Sequence, residues 1–315
     1  MPRFDWRNRS VVVTGGAGFL GGHVVSRLES AGAEVHVPRS SDVDLRESEA
    51  CLEWLQAHRP EVVIHCAVDG GGIGYMRAHP ASVFYNNVRM NTAVLHGAWK
   101  TGVERFVGVS SVCAYPRDAP VPMREDAVWD GLPEPTNGPY GQSKRLLMAM
   151  GAAYHEQYGF RAVFPMPVNL YGPRDVFDPE RSHVVPALIR RFLEAKKENV
   201  AEVVAWGTGT VTRELLFVDD CAEAVVLCAE VVEDPAPINL GTGLELRVSE
   251  IAQTIADVVG YQGDIRWDTT KPDGQPRKCL DVTRARDTLG WSATTSLRSG
   301  LEKTVEWYLS HSESV

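Results

Sequence analysis

A doubly wound, mostly parallel α/β sheet, joined to a smaller mixed α/β unit toward the C-terminus, is the fold class that this 315-residue chain predicts. Three observations carry the prediction. Short apolar runs alternate with longer helical patterns through the first half. A glycine-rich turn, TGGAGFLG, stands between the first strand and the first helix, and a YGQSK segment falls where a later helix opens.

The elements follow in order. SVVVTG reads as the first strand, apolar along its length as a strand covered on both faces must be. A helix through HVVSRLES, a strand AEVHV, a helix near EACLEWLQAH and a strand EVVIHCA complete a βαβ series. After them come a long helical segment, PASVFYNNVRMNTAVLHGAWK, a strand RFVGVSS, a helix carrying Tyr140, and a strand RAVFPM. From Val168 onward, NLYGPRDVFDPERSH is rich in proline, glycine and charge, and the later segments mix helices with short strands. Residues 1–168 are therefore expected to form a dinucleotide-binding domain, to which residues 215–243, with FVDDCAEAVVLCAEV and PINLGTG, return. Residues 169–214 and 244–315 are expected to form the substrate-binding unit. In open parallel sheets the ligand lies at the carboxyl ends of the strands.

Composition narrows the function class. With 44% hydrophobic and 23% charged residues, the chain has ordinary globular usage and no signature of disorder or collagen-like repeats. A net charge of −9 argues against a broad nucleic-acid surface. Six cysteines, at 51, 66, 113, 221, 228 and 279, include no CxxC pair or Cys/His series, so no metal site is expected and most are read as reduced core thiols. The N-terminal MPRFDWRNRS lacks the apolar segment of a secretory signal, and no apolar run is long enough to span a bilayer. A cytoplasmic protein without membrane or nucleic-acid partners is the expectation.

In TGGAGFLG, Gly15, Gly18 and Gly21 stand where absent side chains let backbone N–H groups approach a pyrophosphate. A glycine turn that only packs a helix on a strand would have the same spacing, but the downstream tyrosine and lysine favour a nicotinamide dinucleotide. After the second strand, VPRSSDVDL has no acidic residue directly placed for a ribose 2′-hydroxyl, and it offers Arg39, Ser40 and Ser41 to a 2′-phosphate. NADP(H) is thus favoured and NAD(H) stays open. Asp44 and Leu45 stand to border the adenine.

Tyr140 and Lys144 are four residues apart in a helical segment, so phenol and ammonium project from one face. A nearby cation favours a phenolate, so the tyrosine is expected to titrate below its ordinary value and to exchange a proton with a sugar oxygen that Ser111 shares. Cys113, two residues after Ser111, is expected on the same side of an extended segment.

Taken together, TGGAGFLG, SSVCAYP, YGQSK and PVNLYGP resemble the extended short-chain dehydrogenase/reductases that work on nucleotide sugars, with their Rossmann-type fold. HCAVDGGGIG, EPTNGPYGQSK, NLYGPRDVFDPERSHVVPALIRRF, VVAWGTGTVTRELLFVDD and KPDGQPRKCLDVTRARDTLGW narrow the resemblance to the GDP-L-fucose synthases and cover nearly the whole chain. The resemblance implies 3,5-epimerisation and C4 reduction of GDP-4-keto-6-deoxy-D-mannose. It places His183 across the substrate from Cys113 as its acid/base partner, and gives Ser111, Tyr140 and Lys144 to the C4 oxygen and the nicotinamide ribose. On the cofactor side it adds Phe19, Leu20, Ala67, Asn87, Pro167 and Asn169. On the substrate side it adds Asn169, Val184, Arg191, Trp206, Arg213 and Lys278. It also implies a homodimer built on the helices near Val83 to Trp99 and Tyr140 to His155.

One departure keeps a second enzyme reading open, and one absence weighs against a third. Ala17 stands where fucose synthases often carry a basic residue, as in NAD-retaining nucleotide-sugar 4-epimerases, which are the alternative enzyme class. SSVC lacks the adjacent acidic pair of a 4,6-dehydratase. A non-catalytic dinucleotide sensor is the alternative outside enzymes, and it leaves the five polar catalytic positions without a purpose.

Overall fold

The computed structural model describes residues 4–179, 181–271 and 273–311, so the two ends of the expected domain ranges, 1–3 and 312–315, lie outside the described residues. The chain begins with β1 (Ser10–Thr14), α1 (Phe19–Ser30), β2 (Glu34–His36), α2 (Ser48–His58) and β3 (Val62–His65). A short helix absent from the sequence reading, α3 (Ile73–Ala78), precedes α4 (Pro80–Lys100). Then come β4 (Arg105–Gly108), α5 (Gly138–Tyr158) and β5 (Ala162–Pro167). The second half runs β6 (Asn169–Tyr171), α6 (Val184–Glu198), β7 (Glu202–Trp206), β8 (Thr212–Arg213), β9 (Leu215–Phe217), α7 (Val218–Val231) and β10 (Pro237–Leu240). It closes with β11 (Leu246–Arg247), α8 (Val248–Val259), β12 (Asp264–Asp268), α9 (Thr283–Leu289) and α10 (Leu297–His311).

Six strands form one sheet in the order β10-β5-β4-β3-β1-β2, and every pairing in it is parallel. Parallel neighbours need crossovers, which the helices supply: α2, α4 and α5 pack together on one face, α1 and α7 on the other. Because both faces are covered, β3 and β5 are buried at every position. The strand order reverses between β1 and β3, so the crevice for a ligand opens beyond the carboxyl ends of those two strands.

A second hydrophobic cluster lies apart from the sheet. Ile189 and Phe192 of α6, Ile251 and Ile255 of α8, and Leu301 of α10 fill it, together with Tyr171 and Phe217 from the paired strands β6 and β9. Two stretches lie where the clusters meet. In β9, which pairs with β6, Leu215 and Phe217 bury in this second cluster and Leu216 in the first. Leu280, Ala285 and Trp291 bury in the first cluster, because α9 packs on α7 and β10.

One buried carboxylate ties the two regions. Glu214 is 0% exposed and accepts backbone N–H groups from Thr242 (2.6 Å), Gly243 (2.7 Å) and Leu280 (2.7 Å). Burial pushes its pKa above the ordinary carboxylate value, and those donors, standing in for water, offset this only in part.

Candidate active site

The site is built at the carboxyl ends of β1, β3, β4 and β5. After β1, Gly15 takes φ +70°, and a Cβ there would come within 2.7 Å of the backbone nitrogen of Ala67, just past β3. Only glycine fits both demands. A Cβ at Gly21 would strike the carbonyl oxygen of Gly15, so the first turn of α1 is pressed against the loop. This bare cradle at the N-terminus of a helix, set at the point where strand order reverses, suits a pyrophosphate. Phe19 and Leu20 open α1 and are half-buried beside it.

A buried polar chain joins this cradle to α5. The Thr14 hydroxyl lies 2.6 Å from His65 Nδ1, His65 Nε2 lies 3.0 Å from Asn91 Oδ1, and Asn91 Nδ2 donates to the Ser143 carbonyl oxygen at 2.9 Å. Burial holds His65 down to about 3, with the Lys144 cation acting in the same direction, so the imidazole is neutral and serves as a fixed spacer. The Ala67 N–H donates to Thr14 Oγ1 at 3.3 Å, which ties the β3 end into the same chain.

Beyond β4, Ser111 is extended (φ −163°, ψ 149°), but residues Val112–Ala114 turn into one 3-10 turn. The expectation of an extended Ser111–Cys113 segment is therefore corrected. The Ser111 side chain accepts from the Cys113 N–H at 3.2 Å and caps the turn. The Ser111 side chain thus meets Cys113 at its backbone, through the cap and not through strand alternation.

Tyr140 and Lys144 lie on the first two turns of α5, the lysine ammonium 5.7 Å from the tyrosine ring centre. Lys144 is 2% exposed and donates to the Val109 carbonyl oxygen at 2.7 Å. Burial pulls its pKa down to about 8. The expected depression of the Tyr140 pKa is also corrected. Burial pushes the phenol above its ordinary value, and the hydrogen bond with Ser111 offsets this only in part. The phenol is neutral and holds a proton to give.

Asn137 carries no signal of its own in the sequence. It sits at the N-cap of α5 (φ −128°, ψ 17°), yet its side chain makes no capping bond. Instead Nδ2 donates to Cys113 Sγ at 3.1 Å, while Oδ1 is buried without a hydrogen-bond partner. An asparagine before a helix is ordinarily read as a cap, which is why the spacing alone did not single it out. Gly141 brings the helix onto the same turn, since a Cβ there would collide with the Cys113 carbonyl.

His183 is the residue before α6, with an exposed side chain. The protein mass around the cleft still desolvates the ring and lowers its pKa below the histidine norm. Val184 opens α6 and is 37% exposed.

The other expected residues are dispersed in role. Arg39 is exposed after β2, and its guanidinium has no partner among the described residues. Asp44 is engaged by Arg46 at 2.7 Å, which holds its carboxyl at about 2, and Leu45 packs half-buried on the first core. Asn87 is buried in α4 and bonds both the backbone N–H (3.0 Å) and carbonyl (2.7 Å) of Asp69. Pro167 ends β5, and Asn169, half-buried, opens β6. Arg191 donates to the Val204 carbonyl at 3.1 Å. Arg213 donates to the carbonyls of Thr212 and Gln275, both at 2.7 Å, so its guanidinium is already tethered to backbone. Trp206 is 63% exposed, with the Lys271 ammonium 5.7 Å from its ring, and Lys278 is half-buried.

Comparison with known proteins agrees with this geometry. The NAD dependent epimerase/dehydratase family matches residues 11–241. The GDP-L-fucose synthase of Escherichia coli K12 is 40% identical, with 96% of this chain and 97% of that protein aligned, and the GDP-L-fucose synthase of Sinorhizobium fredii is 39% identical, with 99% of each. A GDP-L-fucose synthetase from Naegleria fowleri, solved with NADP bound, has a TM-score of 0.89 at 28% identity, covering 98% of this chain and 96% of that one. The chain belongs to the NAD dependent epimerase/dehydratase family and, within it, to the GDP-L-fucose synthases.

Proposed function

We propose that this protein is an NADP(H)-dependent epimerase/reductase that converts GDP-4-keto-6-deoxy-D-mannose to GDP-L-fucose. The observation that carries the reading is the convergence of Ser111, Cys113, Asn137, Tyr140 and Lys144 on one short turn beyond β4, in a chain whose full-length relatives bear the fucose synthase name. The cofactor is NADP(H). Gly15, Gly18 and Gly21 would hold its pyrophosphate, Arg39 its 2′-phosphate, and Lys144 and Asn169 its nicotinamide half, while Asn87, buried with its amide committed to Asp69 and Val83, shapes the loop after β3. When bound, the reduced dinucleotide supplies the electron pair and hydrogen that C4 receives.

The side chains divide the proton chemistry. A C4 ketone acidifies the hydrogens at C3 and C5. Cys113 removes one, with the Asn137 N–H stabilising charge on its sulfur, and His183 returns a proton to the opposite face. Ser111 and Tyr140 donate to the C4 oxygen while negative charge rests on it. Tyr140, kept neutral by burial, then gives its proton to the C4 alkoxide. Lys144 is charged in most molecules at pH 7 and stabilises the phenolate left behind. Arg191, Arg213, Trp206 and Lys278 are the side chains offered to the nucleotide diphosphate and its base.

A homodimer through α4 and α5 belongs to the same proposal. On that face Trp99 stacks on Tyr158 (4.4 Å between ring centres) and meets Tyr154 edge-on, and Tyr158 is 47% exposed. The cytoplasm suits the chain because all six cysteines are free thiols. Among the described residues no helix is long and apolar enough to cross a membrane.

The test is cofactor stoichiometry. Purified protein given the keto sugar should oxidise one NADPH per sugar consumed. Interconversion of a UDP-hexose or GDP-mannose without added reductant, with no turnover of the keto sugar, would establish the 4-epimerase instead.

A further inference from the structure

The imidazole of His183 makes no hydrogen bond or ion pair among the described residues, so its placement depends on the backbone that carries it. On the C-terminal side that backbone is the first turn of α6. On the N-terminal side it is gripped by a segment more than a hundred residues earlier. The Gly72 N–H donates to the Arg181 carbonyl oxygen at 2.8 Å, and Arg181 Nη2 donates back to the Gly70 carbonyl oxygen at 3.0 Å. A Cβ at Gly72 would strike the carbonyl oxygen of Ser182, the residue next to His183.

The grip has a side-chain lock. The Arg181 guanidinium carbon lies 4.6 Å from the centre of the Tyr75 ring, within cation–π range. Tyr75 is itself fixed, because its hydroxyl donates to Asp69 Oδ1 at 2.8 Å. Asp69 is fixed in turn: Oδ2 accepts from Asn86 at 2.8 Å, and Asn87 bonds its backbone on both sides. A continuous set of contacts therefore runs from α4 to Arg181, two residues before His183.

We propose that the Arg181–Tyr75 stack, anchored through Asp69 to α4, positions His183 for proton delivery and so sets how completely the keto sugar is epimerised before C4 is reduced. The proposal rests on the reading of His183 as the proton donor to the sugar carbons. Proton transfer requires heavy atoms within about 2.6–3.2 Å, and a side chain with no bond of its own reaches that geometry only through its backbone. Loosening the backbone slows proton return to carbon. It leaves Ser111, Tyr140 and Lys144 in place, so the same ketone is reduced earlier, with C3 or C5 unepimerised. Arg181 and Tyr75 touch neither cradle nor substrate oxygen and act as positioning residues.

The experiment follows GDP-4-keto-6-deoxymannose and NADPH in D2O with wild type, Arg181→Ala, Tyr75→Leu and the double variant. NMR reads the ratio of unepimerised to epimerised product and the deuterium at C3 and C5. The KM for NADPH and the melting temperature are measured alongside. The expected result is a rise of about tenfold in the ratio for each single variant, no larger rise in the double, and an unchanged KM for NADPH. A ratio within about twofold of wild type in both single variants overturns the proposal and leaves the functional reading intact. A wild type that neither exchanges nor epimerises overturns both. If truncation unfolds the protein, Arg181→Lys and Arg181→Gln decide. Lysine keeps the cation over the ring and should retain the wild-type ratio, glutamine should raise it, and equal ratios overturn the proposal.

Discussion

Substituting Gly141 by alanine tests whether the catalytic turn depends on the close seating of α5. The added Cβ would sit 3.0 Å from Pro133 Cβ and 3.1 Å from the Cys113 carbonyl carbon, and nearer still to that carbonyl's oxygen, whereas ordinary contact begins at 3.4 Å. Two effects oppose each other. Alanine is the better helix former by about 1 kcal/mol, while forcing a methyl group into a filled site costs about 1–3 kcal/mol. The balance is a protein destabilised by about 0–2 kcal/mol, a modest loss. The activity loss should be larger, because restoring contact moves α5 back by roughly 1 Å. That movement carries Tyr140 and Lys144 away from Ser111 and draws Asn137 off the Cys113 sulfur. A misplacement of this size costs about a hundredfold in rate. The assay is kcat/KM for NADPH oxidation with the keto sugar, beside a urea unfolding midpoint. A variant with the wild-type rate and a raised midpoint would refute the reasoning, since helix propensity would then have decided the outcome alone.

Three further outcomes are expected. Cys113→Ser should stop or severely slow deuterium incorporation at C3 and C5 while still allowing reduction of the unepimerised ketone, and Tyr140→Phe should do the reverse; wild-type exchange in Cys113→Ser would remove the thiol from the mechanism. Arg39→Ala should erase the preference for NADPH over NADH in kcat/KM, so a wild type with no preference, or a variant that keeps it, contradicts the role of that exposed guanidinium. Because burial lowers Lys144 to about 8, its ammonium is lost as pH rises through that value, and the reduction rate should fall above about pH 8 with a one-proton slope; a rate flat to pH 10 would contradict this.

The legible parts of the site were those whose signal is local. Tyr140 and Lys144 share a helix face, so their four-residue spacing predicted their proximity before any tertiary contact was known. The glycine cradle was readable because the turn follows an apolar strand and opens a helix, and that context supplies the reason for each missing side chain. The errors arose where tertiary packing overrode a local rule. Ser111 and Cys113 look like alternating strand residues, but the strand ends at Gly108 and a serine cap bends the chain. A lysine one turn away suggested an acidic Tyr140, whereas burial of the whole corner dominates its ionisation. The residues missed entirely act across large separations. Asn137 meets Cys113 from another element, Arg181 meets Tyr75 from a segment more than a hundred residues away, and Glu214 accepts from three backbone N–H groups of two other segments. No periodicity or spacing encodes those pairings.

The most direct measurement of the central claim is NMR analysis of the sugar formed from GDP-4-keto-6-deoxymannose and NADPH in D2O. The account predicts GDP-L-fucose inverted at C3 and C5, deuterium at both carbons and one NADPH oxidised per product. A 6-deoxy sugar retaining the starting configuration at C3 and C5, without deuterium there, would contradict it.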